Sequence, residues 1–300
     1  YNGQIGLDKG VVTVKATTVD NFWKRLPIER MQINDDFTAE GKPKNTDFEL
    51  AETKATKAIQ KHSMNIGGSE KNSQIDEAYL LLGKARYYDQ RFVPALDAFN
   101  YILYKYPNSS NIYTAKIWRE KTNIRLDNEN VAIKNLKEVV AQKEIDREVY
   151  ADANAMLAAA YMKAESADSA LVVLKEAIKT TKNNEKKARY LFITGQINDK
   201  LKAPDSAYAA FQKVIDMKRK SPRRYVIQAH AMQAAQFDFK NGDTLAFMEK
   251  YHELLEDREN RPYLDILNFQ VGLFYDKQDI DDNAIKYYNV PTPLSDLYFK

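Results

Sequence analysis

His62, His230 and His252 are the imidazoles of the chain. None of them has a second histidine at the i, i+4 spacing that would place two metal ligands and a glutamate base on one helical face. They read as structural residues. Asp279, Asp281 and Asn283 begin like a calcium loop, but the sixth position is Ala284 where a glycine is needed, and the twelfth is Val290 where a bidentate glutamate belongs. A capped turn is the simpler reading. No GxGxxG, GxxxxGK[ST] or GxSxG run occurs, so phosphate cradles and nucleophile elbows lack support. With Cys 0, disulfides, thiolate metal sites and cysteine nucleophiles are excluded. The run Lys218, Arg219, Lys220, Arg223 and Arg224 has the charge to grip phosphates, yet it lies where one helical unit ends, and there cations complement the helix dipole. The residues therefore predict no catalytic group, no cofactor and no metal.

Composition points the same way. A chain of 300 residues suggests two domains at roughly 150 residues each, and 44% apolar residues can build a sizeable core. A net charge of +3 with 29% charged residues provides no bulk field for nucleic acid or an anionic membrane. Ten glycines and nine prolines in 300 residues fall below the usual usage of about 7% and about 5%, which favours long helices over tight turns. The longest apolar run, Ala155 to Met162, is far short of the roughly 18 residues of a membrane span. The chain opens at Tyr1 without a leader, so it reads as processed or truncated, with any targeting segment upstream.

The elements that must position any site are periodic. Ala95, Ala132, Ala170, Ala207, Leu245 and Ala284 recur at separations of 37, 38, 37, 38 and 39 residues. Four residues after each stand Phe99, Leu136, Leu174, Phe211, Glu249 and Tyr288, so five of six place a large group one helical turn beyond a small one. Twelve residues before each come Gly83, Glu120, Ala158, Gly195, Gln233 and Gly272, and the in-phase glycines lower helix propensity, so packing must justify them. Asp168, Asp205 and Asp243 offer acceptors where second helices begin, and Pro94 and Pro204 sit near helix starts.

This pattern resembles tetratricopeptide helix-turn-helix units, with Tyr79, Leu82, Gly83, Ala95, Phe99 and Pro107 matching one unit closely. The resulting expectation is an all-α, tetratricopeptide-like helix-pair solenoid, or superhelix. Residues 1–46 are expected to be irregular or weakly helical, with a loop at Gly41–Asn45. Residues 47–65 form a capping helix on the spacing of Phe48, Ala51, Ala55, Ala58, Ile59 and His62. About six units fill 75–289, and 290–300 is a tail of uncertain register after Val290-Pro291-Thr292-Pro293.

In such arrays the first helices line the concave side, and the register nominates Lys84, Tyr87, Tyr88, Lys121, Arg125, Arg189, Gln196 and His230 as groove-facing, partner-binding residues. The carboxylate clamp of co-chaperone repeats is absent, since its places hold Leu80 with Lys84 and Ile117 with Lys121. Among 19 tyrosines, the cluster Tyr101, Tyr104 and Tyr106 beside Tyr87 and Tyr88 reads as helix packing with hydroxyls at the rim.

Several segments are similar to the SprE/PorW family of periplasmic lipoproteins in the type IX secretion and gliding-motility machinery. They are Asp20 to Trp23, Leu26 to Arg30, Ala58 to Met64, Ile75 to Arg86, Lys116 to Lys121 and Asn260 to Pro262. Trp23, Arg30, His62 and Trp118 are not demanded by helix pairing as such. The resemblance implies a non-catalytic adaptor on the periplasmic face of the outer membrane that links the translocon to periplasmic ring proteins. Its lipid-bearing N-terminal cysteine has no counterpart here, so the chain is expected to be a fragment lacking anchor and C-terminal part. The competing reading is a glycan-binding outer-membrane lipoprotein of the SusD type. That fold interrupts its helix pairs with long inserts, whereas these units follow one another without a gap.

Overall fold

The computed structural model describes residues 1–32, 45–67 and 69–290. The expected loop at 41–44 and the tail at 291–300 lie outside the described residues. The fold is all-α, a tetratricopeptide-like series of helix pairs. Two helices come first, α1 (Asn2–Thr17) and α2 (Thr46–His62). A two-residue antiparallel ladder follows, β1 (Asn65–Ile66) with β2 (Ser69–Glu70), which the helical period did not predict. Six pairs then run in chain order. They are α3 (Ile75–Tyr88) with α4 (Phe92–Lys105), α5 (Ile112–Arg125) with α6 (Glu129–Val140), and α7 (Arg147–Lys163) with α8 (Ala167–Thr180). After these come α9 (Asn184–Lys200) with α10 (Pro204–Asp216), α11 (Arg223–Ala235) with α12 (Thr244–Glu256), and α13 (Leu264–Asp276) with α14 (Asp281–Tyr288). No helix among the described residues is long and apolar enough to cross a membrane.

The phased glycines and the large residues sixteen positions later are two halves of one contact. A Cβ on Gly83 would lie 2.4 Å from the Phe99 ring, on Gly195 2.5 Å from Phe211, and on Gly272 2.5 Å from Tyr288. The ring of the second helix thus fills the notch left on the first, and even a methyl group there would overpack it. Ala95, Ala132, Ala170 and Ala207 are fully buried, and each is the fourth residue of its helix. The rule breaks at the fifth pair. Leu245 is 81% exposed, and the fourth and eighth residues of α12 are Phe247 and the buried Tyr251. The register there is two residues off because the α11–α12 loop, 236–243, is longer than the others.

Most pairs close with the same turn. Gln90, Asp127, Glu165, Lys202 and Asp279 all take positive φ, between 56° and 62°. The residue after each donates its N–H back five positions, as in Arg91 to Arg86 O at 2.9 Å and Ser166 to Tyr161 O at 2.8 Å. This is the Schellman closure, and it satisfies carbonyls that the helix end leaves open. Asp243 caps α12 by accepting from Ala246 N, but Asp168 and Asp205 lie inside the first turns of α8 and α10, where they act on the helix dipole instead.

The N-terminal region departs from expectation. Residues 2–17 form a regular helix because Gly3, Gly6 and Gly10 make a bare stripe against α2; a Cβ on Gly10 would lie 2.3 Å from the Phe48 ring. What the glycines lose in propensity is returned by burial of Phe48 and Leu7 in the α1–α2 contact. The helix at 46–62 packs against both α3 and α1, and α1 also meets α3.

The chain divides into two compact units. The first comprises residues 1–21 and 26–181; the second comprises Phe22–Arg25 and residues 182–300. One core cluster of the first unit gathers Met31, Leu80, Tyr87, Phe92, Phe99 and Ile102, and one of the second gathers Ile227, Tyr251, Leu267 and Val271.

Candidate functional site

In each unit the first helices hold residues of the chain's own non-helical segment, Thr18 to Gln32. Pro27 keeps Leu26 out of helical geometry, and Leu26, Ile28 and Met31 are buried. Arg30 bonds back to Thr18 O at 3.1 Å and pairs with Asp20 at 3.4 Å, so the two ends of the segment are tied to each other.

Glu29 is the charge centre of the first unit. Its carboxylate meets Lys121 Nζ at 2.6 Å and Arg125 Nη2 at 3.0 Å, and accepts from Tyr87 Oη at 2.6 Å. Burial alone would raise the Glu29 carboxyl, but the charges of Lys121 and Arg125, with bonds from Lys121 and Tyr87, outweigh it and hold the pKa at about 2. Burial lowers Lys121, against the opposing pull of Glu29. Burial also raises the hydroxyls of Tyr87 and Tyr88, and Glu29 raises them further. Lys121 Nζ stands 4.0 Å from the Trp118 ring centre and Lys84 Nζ stands 5.4 Å from it, so one indole serves two cations. Burial and the nearby Lys121 lower Lys84.

The second unit grips backbone instead. Phe22 and Trp23 form a turn, and Gln196 Nε2 donates to Phe22 O and to Lys24 O, each at 2.8 Å. One amide group thereby satisfies two carbonyls that the turn leaves unpaired. The Phe22 ring stands edge-on to Phe192 at 5.1 Å and to Tyr225 at 5.5 Å. Arg189 Nη1 donates to Tyr225 Oη at 2.9 Å and fixes that wall of the slot.

The groove register thus brings Lys84, Tyr87, Tyr88, Lys121 and Arg125 together in the first unit, and Arg189 with Gln196 in the second. Of these residues, Tyr87, Lys121, Arg125 and Gln196 engage the chain's own segment, through Glu29 or through the Phe22 and Lys24 carbonyls. His230 stands apart. Burial, followed by the charges of Lys250 and Arg223, lowers its pKa to about 3. Sequence reasoning missed Glu29, Phe22, Phe192 and Tyr225 as parts of the site. The signal available for Phe22, Glu29 and Trp118 was their type, since helix pairing does not require an aromatic, a carboxylate and an indole there.

Other candidates are absorbed by structure. Arg223 pairs with Asp257 at 2.5 Å, Arg219 with Glu259 at 3.2 Å, and Arg224 with Glu185. Asp279 occupies the left-handed turn position and Asp281 opens α14. Tyr79 and Tyr101 pack at 4.3 Å between ring centres, and Tyr104 is 85% exposed. Burial, then Tyr101, pushes the Tyr79 hydroxyl up to about 12.

No protein-family model matches the chain, and no curated protein matches it. Two crystal structures of MamA are similar to it, each at 19% sequence identity. One covers 69% of this chain and 90% of MamA with a TM-score of 0.40; the other covers 72% and 90% with a TM-score of 0.41. At that level the likeness carries neither partner nor function across.

Proposed function

We propose that the chain is a non-catalytic scaffold of the SprE/PorW kind, facing the periplasm and tethered to the outer membrane by a lipid anchor. It links the translocon of the type IX secretion and gliding-motility machinery to periplasmic ring proteins. The observation that carries the scaffold reading is that the inner helix face holds polypeptide: it takes a carboxylate with Lys121, Arg125 and Tyr87, and takes backbone carbonyls with Gln196. Such a face binds chain rather than transforming a molecule. The secretion reading is supported by the coincidence that Asp20 to Trp23, Leu26 to Arg30 and Lys116 to Lys121, which carry the resemblance, are the segment and part of its seat.

Cross-linking in intact cell envelopes, followed by mass spectrometry of proteins captured through residues on the outer helices, tests it. Recovery of translocon and ring proteins is expected. Capture of neither overturns the secretion reading.

A further inference from the structure

The fifth helix pair is the one whose closure differs most. Its loop, 236–243, folds Phe237 and Phe239 against Phe247 and Phe274, with ring centres 5.0 to 5.4 Å apart across the loop. The hairpin stays open beneath them, leaving a cavity of about 170 Å³ lined by His230, Gln233, Gln236, Phe237, Phe247 and Lys250, among others. A cavity of roughly 150 Å³ accepts a benzene ring, so a ring-sized or branched apolar body fits against the two phenylalanines.

The polar groups around it are incompletely matched. His230 is 7% exposed, and its Nδ1 is buried without a hydrogen-bond partner. The Oε1 of Gln236 is likewise buried and unmatched, while its amide nitrogen donates to Asp199. Lys250 forms no ion pair among the described residues; its ammonium stands 3.4 Å from Gln233 Oε1, and burial lowers its pKa. Asp238, at the rim, accepts from Lys240 N at 2.9 Å and from Asn241 Nδ2 at 2.9 Å, so its charge is engaged within the loop. Buried polar groups left without partners are costly. A part-buried ammonium calls for an anionic acceptor, the His230 Nδ1 tautomer that carries its proton would add a second donor to it, and an orphan amide oxygen calls for one donor.

We infer that this cavity is a binding site for a small carboxylic acid with an apolar body and one hydrogen-bond donor, the class to which N-acyl aliphatic amino acids belong. The carboxylate sits between Lys250 and His230, the donor meets Gln236 Oε1, and the apolar body lies on Phe237 and Phe247. The site is independent of the groove and of the scaffold reading.

Calorimetric titration of the full chain with N-acetyl-L-leucine and with its neutral amide tests it. Saturable binding of the acid is expected, weakened at least tenfold in the amide and at least tenfold in Lys250→Met, which keeps the apolar stem. Absence of saturable acid binding, equal binding of acid and amide, or an unchanged Lys250→Met variant overturns the proposal. Should that variant fail to fold, the acid-to-amide comparison on the parent chain decides by itself.

Discussion

The two seats that hold residues 18–32 solve one problem with different physics. Around Glu29 in the first unit, the chain is held by charge: a carboxylate with Lys121, Arg125 and Tyr87 closed over it. Around Phe22 in the second, it meets an aromatic slot and the Gln196 amide. A charge seat depends on the protonation of one group and tolerates little around it, because a buried cation without its counterion is expensive. An aromatic and amide seat is indifferent to pH and scales with contact area.

That contrast can be broken at either end. Glu29→Ala strands Lys121 and Arg125 and should lower the stability of the first unit by about 3–5 kcal/mol, read as faster amide exchange in α5 with α9 unchanged. Phe22→Ala should cost the second unit about 3–4 kcal/mol and accelerate exchange in α9; faster exchange in α5 alone would invert the assignment. Acid should separate the seats without mutation. The Glu29 pKa falls from 4.5 to about 2 on folding, so its contribution is complete above pH 4.5 and disappears as pH drops toward about 2. The amount is on the order of 3 kcal/mol, seen as a pH-dependent loss in denaturant melts that Glu29→Gln abolishes and Phe22→Ala leaves in place. Gln196→Ala leaves two carbonyls unpaired and should cost about 1–2 kcal/mol, the same at pH 3 and pH 7. Val19→Ala, in the same segment but 75% exposed, should stay within about 0.5 kcal/mol.

The helix pairs were legible because their contact repeats: a glycine or alanine on one helix and a ring or leucine sixteen residues later are fixed by local geometry, and Gly83 with Phe99 announces Gly195 with Phe211. The fifth pair was misread by two positions because its loop is longer, and no small residue stands at the true fourth position, where Phe247 sits. The first helix was illegible for the opposite reason. Gly3, Gly6 and Gly10 depress propensity, and only the Phe48 ring lying on them accounts for their presence. The two seats were half visible. Tyr87, Lys121, Arg125 and Gln196 followed from the repeat, but their partners are 58 to 174 residues away in bonds such as Tyr87 to Glu29 and Gln196 to Phe22. Periodicity carries nothing about contacts of that range.

The tether between this segment and the rest of the molecule sets a threshold for outsiders. A covalently attached occupant competes as if it were present at millimolar concentration. A free peptide offering the same carboxylate and the same aromatic would therefore have to reach a comparable level to take its place. Any visitor that succeeds at lower abundance must bring additional grip of its own.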